Sequence, residues 1–84
     1  MRRIEQLKVV EYRKLALKFD DGTQGILHIN EEFKNVAEPL QDPLAFATAR
    51  IIDDGYGIGF DDCDYDICAQ YAYDNILQAE KTFA

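Results

Sequence analysis

The chain has no serine, a single histidine (His28) and only two cysteines, Cys63 and Cys68, in 84 residues. Without serine there is no Ser-based nucleophile, and Thr23, Thr48 and Thr82 stand without a base beside them, so a hydrolase is not indicated. His28, Cys63 and Cys68 would give at best three metal ligands and lack the paired-ligand spacing of a zinc site. The cysteines read as two reduced, partly buried thiols. No apolar run approaches the ~18 residues of a membrane span, and Met1-Arg2-Arg3 opens no signal peptide, so the expected location is the cytoplasm. Positive charge is missing from one long stretch: no Lys or Arg stands between Arg50 and Lys81.

What is present is acid and aromatic. The 16 Asp and Glu residues against 9 Lys and Arg give a net charge of −7. Like charge disfavours direct contact with DNA, RNA or an anionic membrane and favours a basic partner or simple solubility. Eighty-four residues make one domain, residues 1–84, with a thin core of one sheet covered on one face by helix. Apolar residues at 48% suffice for such a core.

Taken in order, residues 3–10 read as a first strand through Ile4, Leu7, Val9 and Val10. Lys14 to Phe19 alternate, with Leu15, Leu17 and Phe19 to one side. Asp20-Asp21-Gly22 is a hairpin turn, and 23–29 return as the next strand. Asn30 would cap a short helix over 31–36 that buries Phe33 and Val36 and ends at Glu38-Pro39, with Leu40 plugging the sheet edge. Asp42-Pro43 starts another helical turn, anchored by Leu44 and Phe46. Residues 48–52 form a fourth strand, Gly55 permits reversal, and Tyr56, Ile58 and Phe60 form a fifth whose alternate face is bare at Gly57 and Gly59. A helix is expected over those glycines. From Asp66 the period becomes helical, with Ala69, Ala72 and Ala79 favouring helix and Asp64 and Asp66 at its positive end. The expected fold is α+β: a small antiparallel sheet of about five strands, an N-terminal meander plus a C-terminal hairpin, covered by a C-terminal helix and one or two short helices.

Three motifs fail on inspection. Asp62, Asp64 and Asp66 have the spacing of a calcium loop, but Ile67 stands where glycine is needed and Tyr73 where glutamate is. Gly55, Gly57 and Gly59 lack the third glycine of a dinucleotide loop, since Phe60 occupies that place. The adjacent pairs Asp53/Asp54 and Asp61/Asp62 diverge on an extended chain and do not make a glycosidase pair. No catalytic residue, metal ligand or cofactor site emerges.

The remaining pattern is a stretch of acids interleaved with tyrosines. Asp53, Asp54, Tyr56, Asp61, Asp62, Asp64, Tyr65, Asp66, Tyr73 and Asp74 are the candidate partner-binding residues. Carboxylates can occupy phosphate positions in a basic groove while tyrosines supply contact area at little entropic cost. The alternative is that these acids keep a small protein soluble and that Tyr71 and Tyr56 are core.

Leu15-Ala16-Leu17-Lys18-Phe19-Asp20-Asp21-Gly22, the L-x-D-P-x-x-F element at Leu40 to Phe46, Arg50 to Ile58, and the acidic run leading into a helix at Asp61 to Tyr71 together resemble the domain of unknown function 2442 family of small bacterial proteins, over roughly residues 4–72. Where that family carries a Trp-Pro-Asn type segment, this chain has Gly59-Phe60-Asp61-Asp62. The resemblance implies an α+β fold with a small antiparallel sheet and no established activity; family members are sometimes proposed as antitoxin-like partners. In size and charge alone the chain is also similar to anti-CRISPR inhibitors and other acidic phage or mobile-element proteins. The expected function is therefore a non-enzymatic inhibitor, monomeric or weakly dimeric, that occludes the nucleic-acid-binding surface of a basic partner protein. The alternatives are an antitoxin-like module masking a toxin through apolar residues such as Phe33, Leu40 and Phe46, and a small metal-binding or enzymatic domain.

Overall fold

A computed structural model describes residues 2–29, 42–61 and 63–78, with the backbone alone at positions 63–65 and 78. The helix expected over 31–36 and the edge plug at Leu40 lie outside the described residues.

The alternation over Lys14 to Phe19 produces the centre of a first sheet. β1 (Ile4–Glu11), β2 (Lys14–Phe19) and β3 (Gln24–His28) form an antiparallel meander. Leu15, Leu17 and Phe19 are fully buried, as the period-2 pattern requires, and each removes roughly 1.5–3 kcal/mol worth of apolar surface from water. Leu7 and Val9 of β1 pair with Leu17 and Leu15 and pack against the same core. The opposite parity puts Lys8, Lys14 and Lys18 on the outer face. The Asp20–Gly22 turn closes as its chemistry suggests: Gly22 takes φ 89°, and the Asp21 carboxylate accepts the Thr23 N–H at 2.9 Å.

Asp42 caps the next helix, α1 (Pro43–Phe46), accepting the Leu44 N–H at 3.0 Å, with proline at its first position. Of the two expected anchors only Phe46 is buried. Leu44 is 79% exposed, because one turn of helix has a single inward-facing position here and Phe46 holds it.

The largest correction concerns the sheet. The next three strands after α1 form a second sheet of their own instead of extending the first: β4 (Arg50–Ile52), β5 (Gly57–Phe60) and β6 (Cys63–Cys68), all antiparallel in that order. The run Cys63 to Cys68, read in part as a helix start, is a strand, with Ile67 opposite Ile58 and Cys68 opposite Gly57. Helix α2 (Ala69–Asn75) begins three residues later than expected, so Asp64 and Asp66 lie on β6 and do not cap it; its N-cap, Cys68, makes no side-chain capping bond. Among the described residues, no helix covers Gly57 and Gly59. The Ile52 side chain, across the ladder from Gly57, fills that space: a Cβ would lie 3.2 Å from it at Gly57 and 3.0 Å at Gly59.

α2 then carries the chain back to the first sheet, where β7 (Leu77–Gln78) adds to β3 opposite Gly25 and Ile26. The helix buries Ala69 and Ala72, and Tyr73 packs edge-on against Phe19 with ring centroids 5.0 Å apart. Among the described residues, the two sheets, α1 and α2 feed one apolar cluster: Phe19, Leu15, Leu17 and Leu27 from the first sheet, Ile58, Phe60 and Ile67 from the second, Phe46 from α1 and Ala69 and Ala72 from α2. The fold is α+β with two small antiparallel sheets.

Candidate functional site

The β4–β5 connection, Asp53-Asp54-Gly55, positions the site. All three residues are left-handed, at φ 53°, 58° and 100°, and the turn closes with the Tyr56 N–H donating to the Asp53 carbonyl at 3.0 Å. Glycine adopts this region freely; Asp does so at a cost of roughly 1–2 kcal/mol each, less than bulkier residues. One hydrogen bond holds the turn, and the backbone of β1 crowds it. The Arg3 Nε donates to the Asp54 carbonyl at 2.8 Å, and the Ile4 carbonyl oxygen comes within 2.8 Å of where a Gly55 Cβ would stand. Glycine is therefore required at 55 twice over, for its backbone angle and for the absence of a side chain.

Between the start of β1 and this turn lies a cleft of about 470 Å³, broadly open to solvent, lined by Arg3, Ile4 and Glu5 on one side and Ile51, Ile52, Asp53, Asp54 and Gly55 on the other. Glu5, Asp53, Asp54 and Arg3 are its charged residues, while Ile51 packs toward the core and Ile52 over Gly57 and Gly59.

The other candidate residues fall in different places. Asp61, at the opposite end of β5, is paired with Arg50, and its backbone N–H donates to Thr48 Oγ1 at 2.9 Å. Four residues of extended strand, about 13 Å, separate it from the Asp53–Asp54 turn, beyond a physiological Debye length. Asp66 is exposed on β6, and Asp74 is exposed on α2, where it accepts from Gln70 Nε2 at 3.0 Å. Tyr56 is 41% exposed beside the turn. Tyr73 is engaged internally: besides its contact with Phe19, its hydroxyl donates to Asp21 Oδ2 at 2.8 Å, which places it against the first sheet. Asp64 and Tyr65 occupy positions within β6, and Asp62 lies outside the described residues.

The structure thus gathers Asp53, Asp54 and Tyr56 at one end of the second sheet, Asp61 at the other, and Asp66 on its edge strand. Sequence reasoning missed Arg3 and Glu5. Arg3 and Asp54 are 51 positions apart, and no local pattern joins them.

Charge is segregated by sheet. The first sheet and its turns carry Arg2, Arg3, Lys8, Arg13, Lys14 and Lys18 against Glu5, Glu11, Asp20 and Asp21. Several of these pair locally: Arg2 with Asp20 and Asp21 at 3.8 and 3.6 Å, Lys14 with Glu11 at 2.6 Å. Lys14 holds the Glu11 carboxyl below its usual range, and the Thr23 N–H does the same for Asp21, helped by the Tyr73 hydroxyl and Arg2. From β4 through α2 the sequence supplies Arg50 alone against seven aspartates, and among the described residues only Asp61 of these has an ion-pair partner.

A family model described as "Protein of unknown function (DUF2442)" matches residues 4–78. The chain belongs to this family. The match spans β1 through β7, so the family's unit includes both sheets and α2 together. No curated protein and no solved structure matches the chain. Among the described residues, no helix is long and apolar enough to cross a membrane, and no three His, Cys, Asp or Glu residues gather as metal ligands.

Proposed function

We propose that this DUF2442 chain is a protein-docking module with no chemistry of its own, whose acidic second sheet seats on the basic, nucleic-acid-binding surface of a partner protein and keeps nucleic acid from it, as an anti-CRISPR-type inhibitor would. The observation that carries the reading is the segregation of charge between sheets. A protein that used acids only for solubility would gain nothing from confining them to one half, whereas a docking face gains a fast, oriented encounter. Asp53 and Asp54 at one end, Asp61 at the other and Asp66 on the edge strand make a band of carboxylates about the length of a short strand, with Tyr56 as an amphipathic contact beside it.

The test is capture of the partner from native host lysate at low and high salt, with the wild type and an Asp61→Lys/Asp66→Lys/Asp74→Lys variant. At roughly 0.2–1 kcal/mol for each exposed ion pair, the variant should bind about tenfold or more weakly, and wild-type capture should fall with salt. Capture that ignores both salt and charge reversal would defeat the reading.

A second reading, an antitoxin-like module that masks its partner by shape, rests on Leu44, exposed on α1. Phe46 is the wrong residue to carry it, since it is core; Leu44→Ala is the variant that would weaken such a complex.

A further inference from the structure

We propose that a second copy of this chain docks head to tail on the first, the outer face of its second sheet seated on the outer face of the first sheet. Both inner faces feed one core, so the two outer faces look away from it in different directions and cannot meet within one molecule. On the first sheet, residues opposite one another across the ladders form a row from Lys8 through Ala16 and Ile26 to Leu77. Leu77 is 63% exposed and Ile26 half-buried, and Lys18 stands one row away, across from Gln24. This face is an apolar strip with lysines at its margin, and Glu11, at its end, is already paired with Lys14. On the second sheet the inward row is Ile51, Ile58 and Ile67, which leaves Ile52, Gly57 and Cys68 facing out. The Ile52 side chain lies over the bare glycines as a low ridge. Carboxylates border it. An Asp53 oxygen comes within 3.4 Å of where a Gly57 Cβ would stand, and Asp66, next to the buried Ile67, is exposed on the edge strand. Arg50, on the same face opposite Gly59, is taken by Asp61.

The two faces complement each other in both respects. Each has an apolar centre, and their margins carry opposite sign, so stacking sets apolar surface on apolar surface and lysine beside aspartate. The contact joins unlike surfaces, so it is heterologous and leaves one face free at each end of a pair. Copies carrying −7 each repel at long range, but a Debye length of about 8 Å at physiological salt screens that repulsion and spares groups in contact. The area is small. Three or four strands about 4.8 Å apart, over about five residues, make a face of roughly 10–15 by 17 Å. That is well below the ~800 Å² per partner of a standard interface, so a Kd on the order of millimolar is expected. Where the docking reading also holds, a second copy competes with the partner for the acidic sheet. High local concentration then holds that face closed, and dilution frees it.

The experiment is a concentration series of the ¹⁵N-labelled chain, roughly 0.05–2 mM at physiological salt, read by amide chemical shift. Shifts should move with concentration on both outer faces at once, at Lys8, Lys18, Ile26 and Leu77 and at Ile52, Gly57, Asp66 and Cys68. Asp53→Asn/Asp66→Asn takes the net charge from −7 to −5, which would strengthen indiscriminate association. Here it should weaken self-association about fivefold, the loss expected for two exposed ion pairs. Asparagine tolerates the left-handed backbone at 53 as aspartate does, and both side chains are exposed, so the variant retains its fold. Lys8→Gln/Lys18→Gln should weaken association by a similar factor. Labelled Lys8→Gln/Lys18→Gln chain mixed with unlabelled Asp53→Asn/Asp66→Asn chain should recover wild-type affinity, with shifts confined to the labelled chain's second sheet, because each variant keeps one intact face. Wild-type shifts that ignore concentration, shifts on one sheet alone, or tighter association of the Asp53→Asn/Asp66→Asn variant would overturn head-to-tail docking. All of these are read on the purified chain, so such a failure leaves salt-dependent capture of a foreign partner, and with it the docking reading, in place.

Discussion

Gly55 is the residue whose replacement the structure most clearly forbids. Its φ of 100° penalises any L side chain, and a Cβ would lie 2.8 Å from the Ile4 backbone carbonyl, which cannot swing aside as a side chain would. Gly55→Ala is therefore expected to cost about 2–4 kcal/mol by urea denaturation, against roughly 1 kcal/mol for Gly22→Ala, which also has positive φ but meets nothing within 4 Å. Asp21 offers a second test. Its carboxylate ties the β2–β3 turn to α2 through Tyr73, and its folded pKa lies below the ordinary carboxylate value. A depressed folded pKa means that the stabilisation is complete above the unfolded value, near 3.9, and is lost as pH falls through the folded one. Thermal melts between pH 6 and pH 2 should show wild-type Tm dropping more steeply at the acid end than that of Asp21→Asn, which has no such carboxylate to protonate. Parallel slopes would show that Asp21 does not couple turn to helix.

At the scale of elements, what was readable followed from strong local signals. The β2 alternation, the Asp-Gly turn, and the Asp42-Pro43 cap all fold as their residues dictate. The start of α2 was obscured because Asp66 to Cys68 satisfies a helical period as well as a strand; ladder pairing of Ile67 with Ile58 decides between them, and pairing partners are not visible in a local window. The split into two sheets was hidden for the same reason, since periodicity shows that a strand exists and not which neighbour it joins. The glycine pair correctly signalled a close approach, but the approaching group was Ile52 from the adjacent strand. α1 illustrates how much one element can depend on one side chain. Phe46, 1% exposed, contacts Phe60 at 5.8 Å and Tyr12 at 5.7 Å between ring centroids, so it joins the second sheet to the β1–β2 end of the first. Phe46→Ala should cost about 3–5 kcal/mol, a large share of the stability of so small a domain, and denaturant melts should show it mostly unfolded near physiological temperature. Leu44→Ala on the same turn, being exposed, should shift the midpoint little.

For the molecule as a whole, the candidate site was legible as composition and illegible as shape. The base-free stretch from Asp53 to Glu80 can be read directly, but its opposition to the lysine-bearing outer face of the first sheet, and the joining of Arg3 and Glu5 to the Asp53–Asp54 turn, follow from tertiary contacts between opposite ends of the chain. That opposition yields a kinetic prediction. Lys8, Lys14 and Lys18 lie away from the proposed docking face, and at short range their charges do not touch the partner. Replacing all three with glutamine removes three positive charges and takes the net charge from −7 to −10. The Lys14–Glu11 pair is lost, but it is exposed and worth little. If the acidic sheet is steered toward a basic partner, the association rate should rise severalfold at low ionic strength, because the whole field acts during diffusion. The gain should vanish near 0.5 M salt, where screening confines electrostatics to a few ångströms. The dissociation rate should stay unchanged, since no contact in the complex has been altered. Surface plasmon resonance across a salt series separates the two rates, and an association rate indifferent to the substitution would mean that docking is governed by local shape and not by the charge carried on the second sheet.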